Sequence, residues 1–384
     1  MSESANNLHA LRRELNVLAY LGLALLVVFS VFFLYFWPLL QVTVLLIQSS
    51  IIWLFCIYRA LGFMALNRLD DNSPNYADLG WANRLSLLRG WLIALTAGFI
   101  FQPGLSENII VFPALAYLVA AVIDRIDGYI ARITKHQSLL GSRLDTEFDA
   151  LGLLIAPLLA VWLGQIHWSY LSVSLAYYLF QWGQYRRLRN SRPVFPLAAN
   201  PERRAVAGFQ MGFLAVVLWP ILEPPATTIA GFAFMLPLLA GFLIDWLTVS
   251  GRINRGSSAT SNLLLEAYRL IQQLLLPLGR ILIGLLLGLS FYQKDIFSAD
   301  SIITTGVGLL VILCALMILA GMAGRVFALI MSCLFCWLLL SYEMTLIDTA
   351  LLCSIIWIMQ LGTGKFSLWL WDDRWVKKYD GSSL

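Results

Sequence analysis

The chain has 384 residues, 60% of them hydrophobic and only 12% charged, with a net charge of +4 and a mean hydropathy of +0.78. Soluble domains carry about a quarter charged residues, so this balance excludes a water-soluble globular protein; no nucleic-acid partner is expected. Apolar runs of about 20 residues, enough to cross a bilayer about 30 Å thick, recur near 16–37, 39–64, 90–102, 108–124, 144–164, 167–183, 206–222, 227–247, 277–293, 302–321, 325–342 and 345–361. They predict an all-α, polytopic integral membrane protein with about twelve transmembrane helices.

Along the chain, the first run follows "MSESANNLHALRREL" and has no small-residue cleavage site after it, so it reads as a retained helix. Residues 1–76 thus form an N-terminal two-helix extension. A polar break, "NRLDDNSPNYADLG", leads into "WANRLSLLRG", which predicts a short interfacial helix before a short span. Residues 77–250 make a six-helix block. The Gly- and Ser-rich linker "GRINRGSSATSN" then marks a boundary, and 251–384 hold the last four spans. With the N-terminus cytoplasmic, "LRREL", "RRLRNSR", "PERR", "GRINR" and "DDRWVKK" all fall on one side. The opposite loops hold Glu107, Glu223, Asp295, Asp300 and Glu343 with one basic residue, Lys294. This asymmetry predicts both termini on the cytoplasmic side of a membrane, expected to be a bacterial inner membrane. The five cysteines all lie in apolar runs, and Cys333-x-x-Cys336 reads as part of a packed helix.

The polar residues concentrate in "DRIDGYIARITKHQSLLGSRLDTEFDA", from Asp124 to Ala150, between two helix-length apolar runs. At about 100° per residue, Asp124, Asp127, Gly128, Ala131 and Arg132 share one helix face, while Asp145 and Asp149 stack one turn apart above Gly141. Glu147 and Arg143 point away from that pair. Four converging carboxylates repel one another unless something positive sits among them, and an all-oxygen cluster suits Mg²⁺ or Mn²⁺. Two such ions make a clamp for phosphoryl displacement. Gly128, Ala131 and Gly141 leave room for a flat base or a diphosphate, and Arg132 can fork onto a phosphate oxygen.

The spacing D-x₂-D-G-x₂-A-R-x₈-G-x₃-D-x₃-D, running from Asp124 to Asp149, resembles the signature of the CDP-alcohol phosphotransferase family at every fixed position. The resemblance covers about residues 77–225. It implies a six-helix transmembrane core with the site at the cytoplasmic boundary, where an alcohol attacks the β-phosphoryl group of a CDP-linked donor and CMP leaves. It further implies metal ligation by Asp124, Asp127, Asp145 and Asp149, with Asp149 also the general base. Donor contacts are implied for Gly128, Ala131, Arg132, Ser138 and Gly141. Upstream, "ANRLSLLR" resembles the family's P-N-x-x-T-x-x-R segment: Asn83 and Arg89 match, Ser86 stands for Thr and Ala82 for Pro. Arg203 and Arg204 fall where the family keeps basic residues for a phosphate, although a positive cap on the next helix explains them equally well.

The expected activity is therefore metal-dependent transfer of a phosphatidyl-type group from CDP-diacylglycerol to a small hydroxylated acceptor, among membrane lipids; a homodimer is admitted. One alternative is transfer of a CDP-linked headgroup to diacylglycerol. Another, of a different class, is an ion or proton transporter using the aspartates as a relay. The C-terminal block, through Arg280, Lys294, Arg325 and Gly364, resembles the four-helix DoxX-like membrane family, which implies no reaction here.

Overall fold

The computed structural model describes residues 2–197, 201–253, 266, 269–298 and 302–371. Most of the Gly/Ser linker and the basic segment after 371 lie outside them. Among the described residues there are twelve α-helices, short 3₁₀ and π turns, and no strand. Six helices are long and apolar enough to cross a membrane, which makes this an integral membrane protein. Three more apolar helices are shorter, and α3, α5 and α6, defined below, carry too much polar sequence to qualify.

The chain divides into two compact units. The first comprises residues 1–164 with 211–220 and contains α1 (Ser2–Phe33), α2 (Leu39–Phe63), α3 (Gly80–Ala97), α4 (Glu107–Ile133) and α5 (Leu139–Trp162). Helix α3 packs along α2, α4 and α5, whereas α4 and α5 touch each other far less. Sequence predicts a surface helix and then a short span over 81–102. The structure has one continuous helix instead, with Asn83, Ser86, Arg89 and Gly90 all buried. The charge in this segment is buried against partners, so the apolar run it interrupts is not the helix boundary.

Helix starts follow local chemistry. Ser106 and Ser138 precede α4 and α5 in extended backbone, and Ser138 caps α5 by accepting from the Gly141 amide at 3.0 Å. Indole N–H groups of Trp53 on α2 and Trp91 on α3 donate to the Ala19 and Gly22 carbonyls of α1, both at 3.0 Å. They bind the first helix to its neighbours where lipid could not supply a donor.

The second unit comprises residues 165–210 with 221–384. It holds α6 (Leu171–Arg189), the first part of α7 (Pro201–Val217), α8 (Ala226–Val249), α9 (Leu276–Lys294), α10 (Ile302–Ala320), α11 (Gly324–Leu339) and α12 (Leu346–Leu361). Helix α8 packs on both α6 and α12, and Trp357 Nε1 of α12 donates to the Ala233 carbonyl at 3.1 Å. Helix α12 begins with a capping box between Thr345 and Asp348.

Candidate active site

The polar residues of α3, α4 and α5 meet within the first unit. Arg89, in the middle of α3, has only 3% of its side chain exposed. Its guanidinium is ion-paired with Asp124 of α4, and one of its nitrogens lies 3.2 Å from both Asp145 and Asp149 of α5. The same nitrogen donates to the Asp145 carbonyl at 3.0 Å. Oxygens of Asp124, Asp145 and Asp149 all lie within 4.8 Å of one another. Two carboxylates on one helix reach the same point because residues four apart on α5 stack along one face.

Asp127, one turn beyond Asp124, is buried and stands outside this trio. It accepts from Ser86 Oγ of α3 at 2.8 Å. Glu147, between the two α5 aspartates, emerges on the far side of that helix and is ion-paired with Arg59 of α2. Around the trio, an added Cβ at Gly128 would meet only Arg132 Nη1, at 3.6 Å, so this stretch of α4 backbone is open to an approaching group. At Gly141 the space is filled: a Cβ would come within 2.6 Å of Asn83 Oδ1. The Asn83 amide nitrogen donates to the Leu79 carbonyl at 2.7 Å and to Ser138 Oγ at 3.1 Å. Asn83, Ser138 and Gly141 thus form one hydrogen-bonded knot that joins the start of α3 to the start of α5.

Ala131 is partly buried and Arg132 exposed in the last turn of α4. Arg203 and Arg204 sit in the first turn of α7, with side chains outside the described residues. His136, which the sequence suggests is a solvated loop residue, stacks on Tyr76 at 4.0 Å between ring centroids.

Sequence reasoning picked out Arg89 only as a match in the upstream segment and missed that it sits among the carboxylates. It also missed Ser86 as the partner of Asp127. The spacing Asn83-x₂-Ser86-x₂-Arg89 carried the signal, since residues three apart recur on one helix face.

With the geometry in hand, comparison with known proteins gives one match. Residues 79–253 match the CDP-alcohol phosphatidyltransferase family. That segment, a little under half of the chain, includes every residue of the carboxylate cluster, and the match supports a membrane transferase of phospholipid biosynthesis. No curated protein and no solved structure matched the chain. The domain implies a CDP-alcohol donor and an alcohol acceptor.

The residues present fit a divalent cation. Three carboxyl groups share one guanidinium, so acidic groups outnumber the base that holds them, and their oxygen donors suit Mg²⁺ or Mn²⁺. Asp149 Oδ1 is shut off from solvent and takes no hydrogen bond, although the Arg89 nitrogen it shares with Asp145 lies 3.2 Å away. One guanidinium divided among three carboxyl groups leaves room for further positive charge.

Proposed function

We propose that this protein transfers a phosphatidyl group from CDP-diacylglycerol to a small hydroxylated acceptor, releasing CMP. The observation that carries the reading is the convergence of Asp124, Asp145 and Asp149 on one point, inside the segment that matches the transferase family. Those three residues would hold the cation, with Asp127 and the donor's own phosphates completing the charge for a second one. A bound cation supplies positive charge to oxygens that become more negative as the phosphoryl group moves.

The chain's own residues do the rest. Arg89 holds the three carboxylates together against their mutual repulsion and keeps them pointed at one place. The open backbone at Gly128 admits the donor's base or diphosphate, and Arg132 takes a phosphate oxygen. Asp149 accepts the acceptor's hydroxyl proton as that oxygen attacks the β-phosphorus. A new phosphorus–oxygen bond forms, the bond to CMP breaks, and CMP leaves with the electron pair. Asn83, Ser138 and Gly141 keep α3 and α5 in register beneath this chemistry.

Residues 77–250 form the catalytic core in this reading, with the site on the cytoplasmic face of a bacterial inner membrane, the C-terminal block accessory, and Arg203 and Arg204 available to a phosphate. The test is CMP release by purified protein from CDP-diacylglycerol against a panel of alcohols. We expect release that requires Mg²⁺ or Mn²⁺ and stops in EDTA. Undiminished release in chelator would sink the cation reading, and CMP release only from a water-soluble CDP-alcohol with diacylglycerol would reverse donor and acceptor.

A further inference from the structure

We infer that the N-terminal helices α1 and α2, which lie outside the family-matched segment, are the positioning frame of the carboxylate cluster, acting chiefly through Arg59 on Glu147. Two ties support this, each running from an N-terminal helix to the back of a helix that carries site residues.

The first tie is the ion pair between Arg59 of α2 and Glu147 of α5, with side chains 32% and 28% exposed. The Arg59 guanidinium also lies over the Phe63 ring at 4.6 Å, so its direction is set by two partners and not one. Glu147 stands about 160–200° around α5 from Asp145 and Asp149, so whatever holds Glu147 holds the rotation of α5 about its own axis. A carboxylate roughly 6 Å from that axis moves about 2 Å for a 20° turn. Metal-ligand distances tolerate only about 0.2 Å. Small rotational freedom of α5 is therefore large on the scale that a cation site accepts.

The second tie is Glu14 of α1. It accepts from Arg84 Nε at 2.7 Å and from the backbone N–H of Leu79 at 3.1 Å, just before α3 begins. Helix α3 carries Asn83, Ser86 and Arg89. Packing closes the frame from within: the Gly90 face of α3 lies against Cys56 of α2 and Phe148 of α5. Neither Arg59 nor Glu14 touches the trio, so both are positioning residues.

This inference rests on the proposed cation site, and its test has a readout apart from turnover. Mn²⁺ binding to the purified full-length protein is measured by the electron-spin-resonance signal of the free ion, beside the Mn²⁺ dependence of CMP release. Arg59→Ala and Glu147→Gln should each weaken Mn²⁺ binding about tenfold, the low end of what loss of a supporting partner costs a metal site. Half-maximal CMP release should shift by the same factor, while the rate at saturating Mn²⁺ stays within about threefold of wild type. Arg59→Lys should recover much of the loss. The exchanged pair, Arg59→Glu with Glu147→Arg, should bind Mn²⁺ better than either of its single substitutions.

Wild-type Mn²⁺ affinity in Arg59→Ala overturns the inference, as does an exchanged pair no better than its singles. Should Arg59→Ala fail to insert, the exchanged pair decides alone. Mn²⁺ binding that follows these variants, in a protein that releases no CMP from any CDP-linked lipid, would uphold the frame and overturn the proposed reaction.

Discussion

Two buried polar clusters in this chain differ in charge balance. In the C-terminal block, Asp348 is fully buried and accepts four hydrogen bonds: from Lys294 at 2.7 Å, Ser290 at 2.6 Å, and the Thr345 amide and hydroxyl at 2.7 and 2.8 Å. One ammonium meets one carboxylate, and both carboxylate oxygens are used. Around Arg89, one guanidinium faces three carboxylates, and the buried Asp149 Oδ1 has an ion-pair contact with it but no hydrogen bond. Buried charges are kept only when paired or functional. The balanced cluster is complete as a structural fastening, and the unbalanced one is complete only with something positive added. That contrast separates scaffold from site without reference to family.

Substitutions break the comparison in graded ways. The largest effect belongs to Asp124→Asn and Asp145→Asn, which should reduce CMP release to background while leaving the thermal midpoint of the metal-free protein at or above the wild-type value, since each removes like-charge repulsion. Loss of folding in step with activity would place the trio in the scaffold class. Next, Lys294→Met leaves Asp348 without its counter-charge and should cost about 3 kcal/mol of stability, with the activity of folded protein kept. An intact melting curve would show that Ser290 and Thr345 suffice. Arg132→Ala should weaken donor binding by roughly 1.5–3 kcal/mol, read from CDP-diacylglycerol affinity, while Asp149→Asn should keep donor binding and lose single-turnover rate. Normal turnover by Asp149→Asn with donor saturating would give the base to another group. Smallest, Ser138→Ala removes the cap of α5 and a partner of Asn83, and should lower stability by about 1 kcal/mol, seen as a modest shift in melting temperature.

How far sequence reaches is visible in particular residues. The four aspartates and the outward phase of Glu147 were legible because helical geometry turns spacing into direction. Membership of an all-α membrane class was legible from apolar runs alone, but α5, although long enough, carries Arg143, Asp145, Glu147 and Asp149 in its first half and is too charged to qualify as a span. Arg89 could not be placed, because an arginine in an apolar stretch looks like a surface residue until carboxylates 35 and 56 positions away are brought to it. Nor could Asp127 be told apart from its three companions. Equal spacing put it on the same face as Asp124, and only the hydroxyl of Ser86 on a different helix draws it aside. The N-terminal helices were silent for the same reason. Glu14 and Arg59 are single charges whose meaning lies in residues far along the chain.

The Arg59–Glu147 pair also imposes an order on biogenesis. Its members are 88 residues apart, and at about 5–20 residues per second of synthesis the arginine waits roughly 4–18 s for its partner to emerge. During that interval α2 sits in the bilayer with a lone guanidinium near its end, held at the interface by its own flexible stem. The first two helices therefore enter the membrane before α5, and α5 docks against them when it arrives.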